Sequence, residues 1–481
     1  MYRYRLRSAC GGAGVAGPPG LKGIRQLTAT IAAIAGLAGL AEIGVSQESY
    51  TEISDALAVR GTQYLIRVPE NWNGTLINDL DYRRAADSPL YLNLLGSGFA
   101  LSGTLRREDR LTNYDPAHEI HDLVAVLDVF ESRFGKPART LHYGCSGGGN
   151  VATGMAEIHP DRIDGAITAD SPTSPWFTNS HLDGFFVLNA LIAPELPIVD
   201  LPLDGPEIVE IGAAWREAID DAQQTAEGRA RIALAVTIGQ WPGWGGIQEA
   251  AVPEPDPNDA TALQESMYHT VLAVLPSATT FGHSMLEHSA PGQLRWNTGI
   301  DYRNFYANGD ERYKRAVEAL YEEANLDLAS DLEAINAFPR ISADAAAVRW
   351  WSAPGRTHVG EPKVPLLRIH NNGDILVYPS LVKGYETLVG EKGYAELFRS
   401  IFVNRSGHCT FTPSEILAAI DIMMQRLDTG DWPDTDPQAL NALALSLDPT
   451  TPANFYNYRG VSRYNRTWLP GTKEFLGAEV E

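Results

Sequence analysis

A chain of 481 residues can bury a large core, either as one domain with an inserted subdomain or as two domains. Its net charge of -22 argues against nucleic acid or an anionic membrane surface as a partner, because phosphate binding depends on clustered lysine and arginine. The 30 prolines and the aromatic content of 9% indicate an ordered, loop-rich globular protein rather than a disordered one.

Residues 1–46 have the charge and length pattern of a secretory signal peptide. Basic residues from Arg3 to Arg25 precede an apolar run over 27–41, and small residues near Ser46 provide a cleavage region. The alternative is a short amino-terminal membrane anchor, and no other stretch is apolar enough to cross a membrane. We therefore expect a secreted or periplasmic protein.

Short apolar segments predict the first elements of an α/β sheet. Residues 57–69, 75–78 and 99–101 are predicted strands, because each is apolar and bounded by turn residues. Residues 116–134 carry apolar side chains at helical spacing and predict a helix. Alternating strands and helices are typical of the α/β class.

A Gly-Cys-Ser-Gly-Gly pentapeptide at 144–148 lies between a predicted strand, 141–143, and a predicted helix. In α/β-hydrolases a Gly-x-Ser-x-Gly turn in this position exposes the nucleophile above the sheet. Glycines at 144 and 148 would allow the tight turn, which makes Ser146 the candidate nucleophile. A flexible surface loop is the alternative, since the pentapeptide also occurs by chance.

Two backbone amides must stabilise the oxyanion that forms when a serine attacks a carbonyl. Gly147 directly follows the candidate nucleophile and should supply one of them. The segment 78–82 stands where many esterases have His-Gly-Gly-Gly, and Leu80 is the candidate for the second donor. An ordinary turn at 78–82 is the alternative.

The pattern changes after a predicted strand at 163–169. Helical stretches at 183–194, 206–238, 259–275 and 311–335 alternate with loops that contain proline and tryptophan. This pattern predicts a mainly helical lid over 173–362, between core segments 47–172 and 363–481. Aromatic residues of the lid are candidates for an acyl pocket, with ordinary core packing as the alternative. These aromatic residues are Trp176, Phe177, Trp241, Trp244, Trp296, Tyr302 and Tyr306.

Metal and cofactor motifs are not found in the sequence. His283 and His288 are five residues apart, which does not place both on one helical face, and no carboxylate follows at metalloprotease spacing. There is no phosphate-binding glycine loop with lysine and no dinucleotide fingerprint after a strand. We therefore expect neither a metal nor a cofactor.

The acid and histidine of an α/β-hydrolase follow its serine in that order, on loops after late strands. Residues 366–370 predict a buried strand, and residues 371–374 predict a turn at its end, in which Asp374 is the candidate acid. The apolar run 397–403 leads to a glycine-bearing loop with His408, the candidate general base. The alternatives are that Asp374 only caps a turn and that His408 is a polar loop residue.

Cys145 directly precedes Ser146 and Cys409 directly follows His408, so an active site that joins serine and histidine also brings the two sulfurs close. This Cys-Ser, Asp, His-Cys arrangement resembles the tannase and feruloyl esterase family, whose relatives also cleave phthalate-type aromatic esters. The resemblance implies that Cys145 and Cys409 form a disulfide. It also implies that Ser146, His408 and Asp374 act as nucleophile, base and acid.

The sequence departs from that family in two places. It has no aspartate-rich calcium loop in the lid, and Gly-Gly-Asn-Val at 148–151 replaces the more usual Gly-Gly-Arg-Gln. The cysteine count agrees with the resemblance, because removal of a signal peptide with Cys10 leaves two cysteines for one bond in an oxidising compartment.

Together these features predict a secreted serine hydrolase that cleaves carboxylic esters of small molecules through an acyl-enzyme. A serine peptidase or an acyltransferase would use the same triad and remains an alternative. A non-catalytic binding protein of the same fold is a further alternative, although such a protein would normally have lost the serine or the histidine.

Overall fold

The computed structural model describes residues 49–172, 177–249, 251–279, 281–290 and 292–466. The predicted signal peptide and Trp176 lie outside these residues. The strands, in chain order, are β1 (Tyr50–Ala56), β2 (Gln63–Pro69), β3 (Thr75–Asp79), β4 (Ala100–Thr104), β5 (Arg139–Cys145), β6 (Gly165–Ala169), β7 (Leu366–Gly373), β8 (Phe398–Ser406) and β9 (Phe455–Tyr456).

The helices vary from short turns to long amphipathic segments. In chain order they are α1 (Tyr82–Ala85), α2 (Pro89–Gly96), α3 (Pro116–Phe134), α4 (Gly147–Ile158), α5 (Thr178–Leu191), α6 (Pro206–Gln223), α7 (Ala226–Ile238), α8 (Ala260–Thr279), α9 (Phe281–Ser289), α10 (Tyr302–Ala307), α11 (Glu311–Glu323), α12 (Leu328–Ala337), α13 (Ala345–Trp351), α14 (Ser380–Glu391), α15 (Pro413–Thr429) and α16 (Pro437–Leu447). Within the described residues, no helix combines the length and hydrophobicity needed to span a membrane.

The strands form one mainly parallel sheet in the order β1-β2-β4-β3-β5-β6-β7-β8-β9. Strands β3 to β8 pair in parallel, while β1, β2 and β9 pair antiparallel with their neighbours. Because the carboxyl ends of parallel strands lie at one edge, the loops after β3, β5, β6, β7 and β8 meet there.

Helices cover both faces of this sheet, because its strands carry apolar side chains on both sides. Leu76 of β3 and Ala166 of β6 are buried with α3, α4 and α14. Their chain neighbours Ile77 and Ile167 are buried on the opposite face with α2, α15 and α16. The result is the three-layer α/β arrangement expected from the sequence.

Helices α5 to α13 lie between β6 and β7 in the chain and share a separate hydrophobic core. The indole of Trp241 is buried in this core and donates from Nε1 to the carbonyl of Ser180 at 2.9 Å. Tyr302 is also buried there and donates from its hydroxyl to Asp183 Oδ1 at 2.9 Å. These contacts give the helical segment its own internal packing.

Candidate active site

Ser146 lies on the sharp turn between β5 and α4. Its backbone has φ 58° and ψ -124°, a conformation that costs a residue with a side chain about 1–3 kcal/mol. A 2.9 Å hydrogen bond from the Ser146 amide to the carbonyl of Ala169 holds the turn against the end of β6. The predicted strand, turn and helix around this serine are therefore confirmed.

Of the two glycines predicted to allow the tight turn, only Gly144 has no room for a side chain. A Cβ on Gly144 would lie 2.3 Å from the carbonyl of Gly148, which leaves no room for a side chain. A Cβ on Gly148 would meet its nearest neighbour, Asp81 Oδ2, at 3.6 Å, an ordinary contact. The steric requirement therefore falls on Gly144, which packs against the backbone of Gly148 in the tight turn, whereas Gly148 itself has room for a methyl group.

The structure brings Asp374 and His408 into direct contact. Asp374 is fully buried after β7, and its Oδ2 lies 2.8 Å from His408 Nδ1. Its other oxygen, Oδ1, accepts from the amides of Leu376 and Val377 at 2.9 and 3.0 Å. The carboxylate therefore caps its own turn and orients the histidine at the same time.

The loop that carries His408 is fixed to its surroundings by covalent and hydrogen bonds. Cys145 and Cys409 form a disulfide with a Cα–Cα distance of 6.2 Å, which confirms the pairing implied by the family resemblance. The amide of His408 donates to the carbonyl of Ile247 at 2.8 Å. The disulfide thus ties the histidine loop to the serine turn, and the segment before α8 supports it.

His408 Nε2 is buried and has no hydrogen-bond partner among the described residues. Within the described residues, no hydrogen bond joins Ser146 Oγ to His408 Nε2. Such bonds between nucleophile and base are often long without substrate and tighten when it binds. The imidazole therefore has one nitrogen held by Asp374 and the other available.

Asp170, at the end of β6, is a site residue that the sequence analysis did not single out. It is fully buried with φ 40°, and Oδ2 accepts from the Cys409 amide at 2.7 Å and from Asn371 Nδ2 at 3.0 Å. Its Oδ1 accepts from the Asn371 amide at 2.8 Å. Asp170 therefore joins the loops that follow β6, β7 and β8 behind the histidine.

The charges of Asp374 and Asp170 favour the protonated form of His408. Burial opposes protonation of His408, but the carboxylates of Asp374 and Asp170 outweigh it, so the pKa of His408 is raised above its ordinary value. Arg106 acts in the opposite direction. Burial, together with the charge of Asp374, raises the pKa of Asp170 well above its usual range.

Asp170, Asp374 and His408 also place one potential metal-ligating atom each within 4.8 Å of one another. The oxygens of the two carboxylates accept hydrogen bonds from five backbone or side-chain N–H groups, and Asp374 Oδ2 faces the imidazole. A second such group pairs Asp170 with Cys145 and Cys409, whose sulfurs are joined in the disulfide. The donors in both groups are thus arranged as a hydrogen-bond network around the histidine.

The loop after β3, where the second oxyanion donor was predicted, lies beside the serine turn. Leu80 is buried, and its Cβ lies 3.7 Å from the Cβ position of Gly148. The amide of Asp81 already donates to Asp79 Oδ1 at 2.9 Å. This excludes Asp81 as a free donor, and Leu80 and Gly147 stay the predicted pair.

A cavity of about 190 Å³ opens beside Ser146 and has mostly apolar walls. Its lining residues are Arg106, Arg110, Tyr114, Ser146, Gly147, Asn150, Pro172, Phe177, His181, Ser277, Met285, Leu286, Trp351, Leu376 and Val377. Burial lowers the pKa of His181 to about 3, so its imidazole is neutral at pH 7.

The lid aromatics predicted for an acyl pocket are mostly elsewhere. Phe177 lines the cavity, whereas Trp241, Trp296 and Tyr302 are buried in the helical core, where the alternative of core packing holds. Trp351, Arg106 and Arg110 line the cavity and were not predicted to do so. The sequence offered one indication for the arginines, a polar loop with basic residues directly after a strand in an acidic chain.

The sheet order, the serine turn after β5 and the acid and histidine after β7 and β8 define an α/β-hydrolase. The o-phthalyl amidase of Xanthobacter agilis is 43% identical over 434 residues, which are 85% of this chain and 95% of that protein. The chain therefore belongs to the family of this o-phthalyl amidase. No protein-family model matches the sequence.

Comparison with solved structures gives lower similarity. An esterase from Aspergillus oryzae is 13% identical, with a TM-score of 0.40 over 80% of this chain and 81% of the other. Feruloyl esterase B from the same organism is 14% identical, with a TM-score of 0.39 over 80% of this chain and 82% of the other.

Proposed function

We propose that this protein is a serine hydrolase that cleaves an amide or ester of an aromatic carboxylic acid. Ser146 is the nucleophile, His408 the general base and Asp374 the acid. The observation that carries the proposal is the 2.8 Å contact between Asp374 and His408 on a loop that a disulfide ties to the serine turn. The identity of 43% to an enzyme named o-phthalyl amidase supports the same chemistry.

The proposed reaction is a two-step acyl transfer. His408 Nε2 takes the proton of Ser146 Oγ as the oxygen attacks the carbonyl carbon, and Asp374 holds the imidazole tautomer and stabilises the imidazolium. The amides of Gly147 and Leu80 stabilise the oxyanion. His408 then protonates the leaving amine or alcohol, and water releases the acid by the same route in reverse.

The cavity favours a small aromatic acyl group. Its volume of about 190 Å³ exceeds the roughly 150 Å³ of an apolar protein cavity that binds benzene, so one substituted ring fits. Leu286, Trp351 and Val377 are buried and present apolar surface to this space. A single benzoyl-type group therefore matches both the size and the polarity of the site.

The leaving group separates the candidate activities. The resemblance to tannases and feruloyl esterases, which the disulfide supports, predicts esters, whereas the name of the relative predicts amides. A peptidase would require an α-amino acid on the acyl side, and an acyltransferase would favour an added alcohol over water. We favour an enzyme that cleaves both amides and esters of one aromatic acyl group.

The test is a matched substrate panel with purified protein and Ser146→Ala. The panel contains an anilide and an ester of one aromatic acid, the same pair of an aliphatic acid, and an amino-acid anilide. The proposal expects cleavage of both aromatic substrates above the others and none by Ser146→Ala. Preferential cleavage of the amino-acid anilide, or product formed mainly as the ester of an added alcohol, would contradict it.

We also propose that the protein functions outside the cytoplasm. The disulfide between Cys145 and Cys409 supports this, because such bonds persist in oxidising compartments and are rare in the cytosol. Cell fractionation followed by thiol labelling tests it. The enzyme should occur in the extracellular or periplasmic fraction with both cysteines protected from alkylation until reduction.

A further inference from the structure

The loop after β3 carries Leu80, the proposed second donor to the oxyanion. A Cβ on Gly103 of β4 would collide with the carbonyl oxygen of Asp79, whose carbon is further away at 2.9 Å, so this carbonyl points at β4. In a trans peptide the next N–H points in the opposite direction. The Leu80 amide is therefore directed away from β4, and β5 with its serine turn is the neighbour of β3 on the other side.

Hydrogen bonds hold the polar groups around this amide. The carbonyl of Leu80 accepts from Thr104 Oγ1 at 3.1 Å, and the amide of Asp81 donates to Asp79 Oδ1 at 2.9 Å. Tyr91 of α2 donates from its hydroxyl to the other carboxyl oxygen, Asp79 Oδ2. Among the described residues, the Leu80 amide itself has no hydrogen-bond partner. The loop is thus fixed and leaves one donor available.

We propose that Asp79 is a positioning residue of the oxyanion hole. Its carboxyl group, held by Tyr91, fixes the loop so that the Leu80 amide donates to the oxyanion. Asp79 does not touch the substrate and acts only through this amide. The inference rests on the proposed function, because an oxyanion forms only if Ser146 attacks a carbonyl.

The carboxyl group of Asp79 also lies close to the serine turn. Its Oδ1 is 3.8 Å from the Cβ position of Gly148, and Leu80 Cβ is 3.7 Å from the same point. Asp79 is buried at the end of a strand that pairs with β4 and β5. A displaced carboxyl group would therefore move the donor relative to Ser146, and a misplacement of about 1 Å can lower a rate about 10²-fold.

The charge state of Asp79 is compatible with a neighbouring oxyanion. Burial and the charge of Asp81 raise the pKa of Asp79 to about 7. The hydrogen bonds from the Asp81 amide and from Tyr91, together with the charge of Arg106, act in the opposite direction. A neutral carboxyl group, which does not repel an oxyanion, is therefore accessible at neutral pH. Asparagine reproduces the shape and the charge of this neutral form.

The test compares hydrolysis of 4-nitrophenyl benzoate with hydrolysis of its thionoester, in which sulfur replaces the carbonyl oxygen. Sulfur accepts hydrogen bonds more weakly than oxygen, so the ratio of the two kcat values reports hydrogen bonding to the oxyanion. A lower content of folded enzyme reduces both rates equally and leaves this ratio unchanged. Uncatalysed rates are subtracted, and thermal melting shows which variants fold.

Asp79→Ala should lower kcat for the ester about 10²-fold with little change in KM, because the displaced amide serves mainly the transition state. Its ester-to-thionoester ratio should fall about 10-fold or more. Asp79→Asn keeps an acceptor for the Asp81 amide and should retain most of the wild-type kcat and ratio. Tyr91→Phe removes the donor that holds the carboxyl group and should give intermediate values.

Tyr82→Phe is the matched control. Tyr82 is buried, and its ring lies edge-on at 5.0 Å from that of Tyr91, but its hydroxyl makes no hydrogen bond to Asp79. The variant should keep the wild-type kcat and ratio. If Asp79→Ala does not fold, the comparison of Tyr91→Phe with Tyr82→Phe decides.

Three results would overturn this inference alone. They are a wild-type ratio in folded Asp79→Ala or Tyr91→Phe, an equal loss of the ratio in Tyr82→Phe and Tyr91→Phe, and a loss in Asp79→Asn as large as in Asp79→Ala. In each case wild type still cleaves the ester, so the proposed function stands. If wild type cleaves neither substrate and takes no fluorophosphonate label, the proposed function fails and this inference fails with it.

Discussion

The two sides of Ser146 are built differently. On one side, a disulfide, a buried carboxylate pair and backbone hydrogen bonds fix His408. On the other side, Arg106 and Arg110 are anchored through some of their nitrogens and present others to the cavity. Fixed geometry suits a group that performs chemistry, whereas unused donors suit a group that recognises a ligand.

Replacement of Asp374 by asparagine should have the largest effect on activity, because Asp374 holds His408. Asparagine keeps the shape but favours the wrong imidazole tautomer and cannot stabilise the imidazolium, so kcat should fall about 10⁴-fold. In wild type, activity requires neutral His408 and should be lost as pH falls through the raised pKa of that group. Without the carboxylate, this acidic limb should move to lower pH in the pH profile of kcat/KM.

The outcome that would contradict this role is a nearly unchanged kcat in a folded Asp374→Asn protein. Such a result would move the acid function to Asp170, the other carboxylate near His408. Asn372→Ala, at the end of β7 and two residues before Asp374, is a suitable control and should retain the pH profile of wild type.

Loss of the disulfide should have the next largest effect. The bond closes a loop with a sequence separation of 264, for which chain entropy gives a stabilisation of about 5 kcal/mol as an upper figure. Cys145→Ser with Cys409→Ser should lower the melting temperature, and mild reduction of wild type should lower activity before it unfolds the sheet. The double variant should not respond to reductant, and retention of full activity in it would refute a positional role for the bond.

Asp170→Asn should lower the stability of the protein by a smaller amount than loss of the disulfide. The new NH₂ group faces either the amide of Asn371 or the amide of Cys409, so one buried donor loses its acceptor at a cost of about 1–3 kcal/mol. Thermal melting measures this loss. Asp161→Asn, at an exposed position in the turn before β6, is the control and should melt close to wild type.

Gly147→Ala should have the smallest effect of these changes, and it acts on the side of Ser146 where Arg106 and Arg110 lie. The new methyl group meets Arg110 Nη2 at 2.7 Å, and the flexible guanidinium can shift, so the fold should persist. The kcat/KM for an aromatic ester should fall about 3–10-fold, because the shifted guanidinium narrows the cavity beside Ser146. Gly148→Ala, whose methyl group has ordinary contacts, should keep the kcat/KM of wild type. Equal effects of both changes would argue against a role for the space at Gly147.

The sequence correctly predicted the elements that are determined by residues close together in the chain. Helix α3 was predicted over its full length from apolar spacing, and the serine turn from its glycines. By contrast, 206–238 looked like one continuous helical stretch but contains α6 and α7, because Thr225 accepts from the amide of Gly228 and caps a new helix. Strand β7 continues to Gly373 through a register shift against β8, into residues that were predicted as a turn.

The missed site residues depend on contacts between distant parts of the chain. Asp170 matters because it accepts from Cys409, 239 residues further on, and nothing in its local sequence distinguishes it from a strand-ending turn residue. Arg110 matters because it lies against Gly147 and Glu119, which belong to separate elements. The cavity-lining Trp351 likewise reaches the site only through the packing of α13.

The central claim is that His408 activates Ser146. The most direct measurement is intact-protein mass spectrometry after reaction with a fluorophosphonate, followed by peptide mapping, on wild type, Ser146→Ala and His408→Ala. The account predicts one phosphonyl group per wild-type molecule, located on Ser146, and none on either variant. No labelling of folded, oxidised wild type, or labelling that persists in Ser146→Ala, would contradict it.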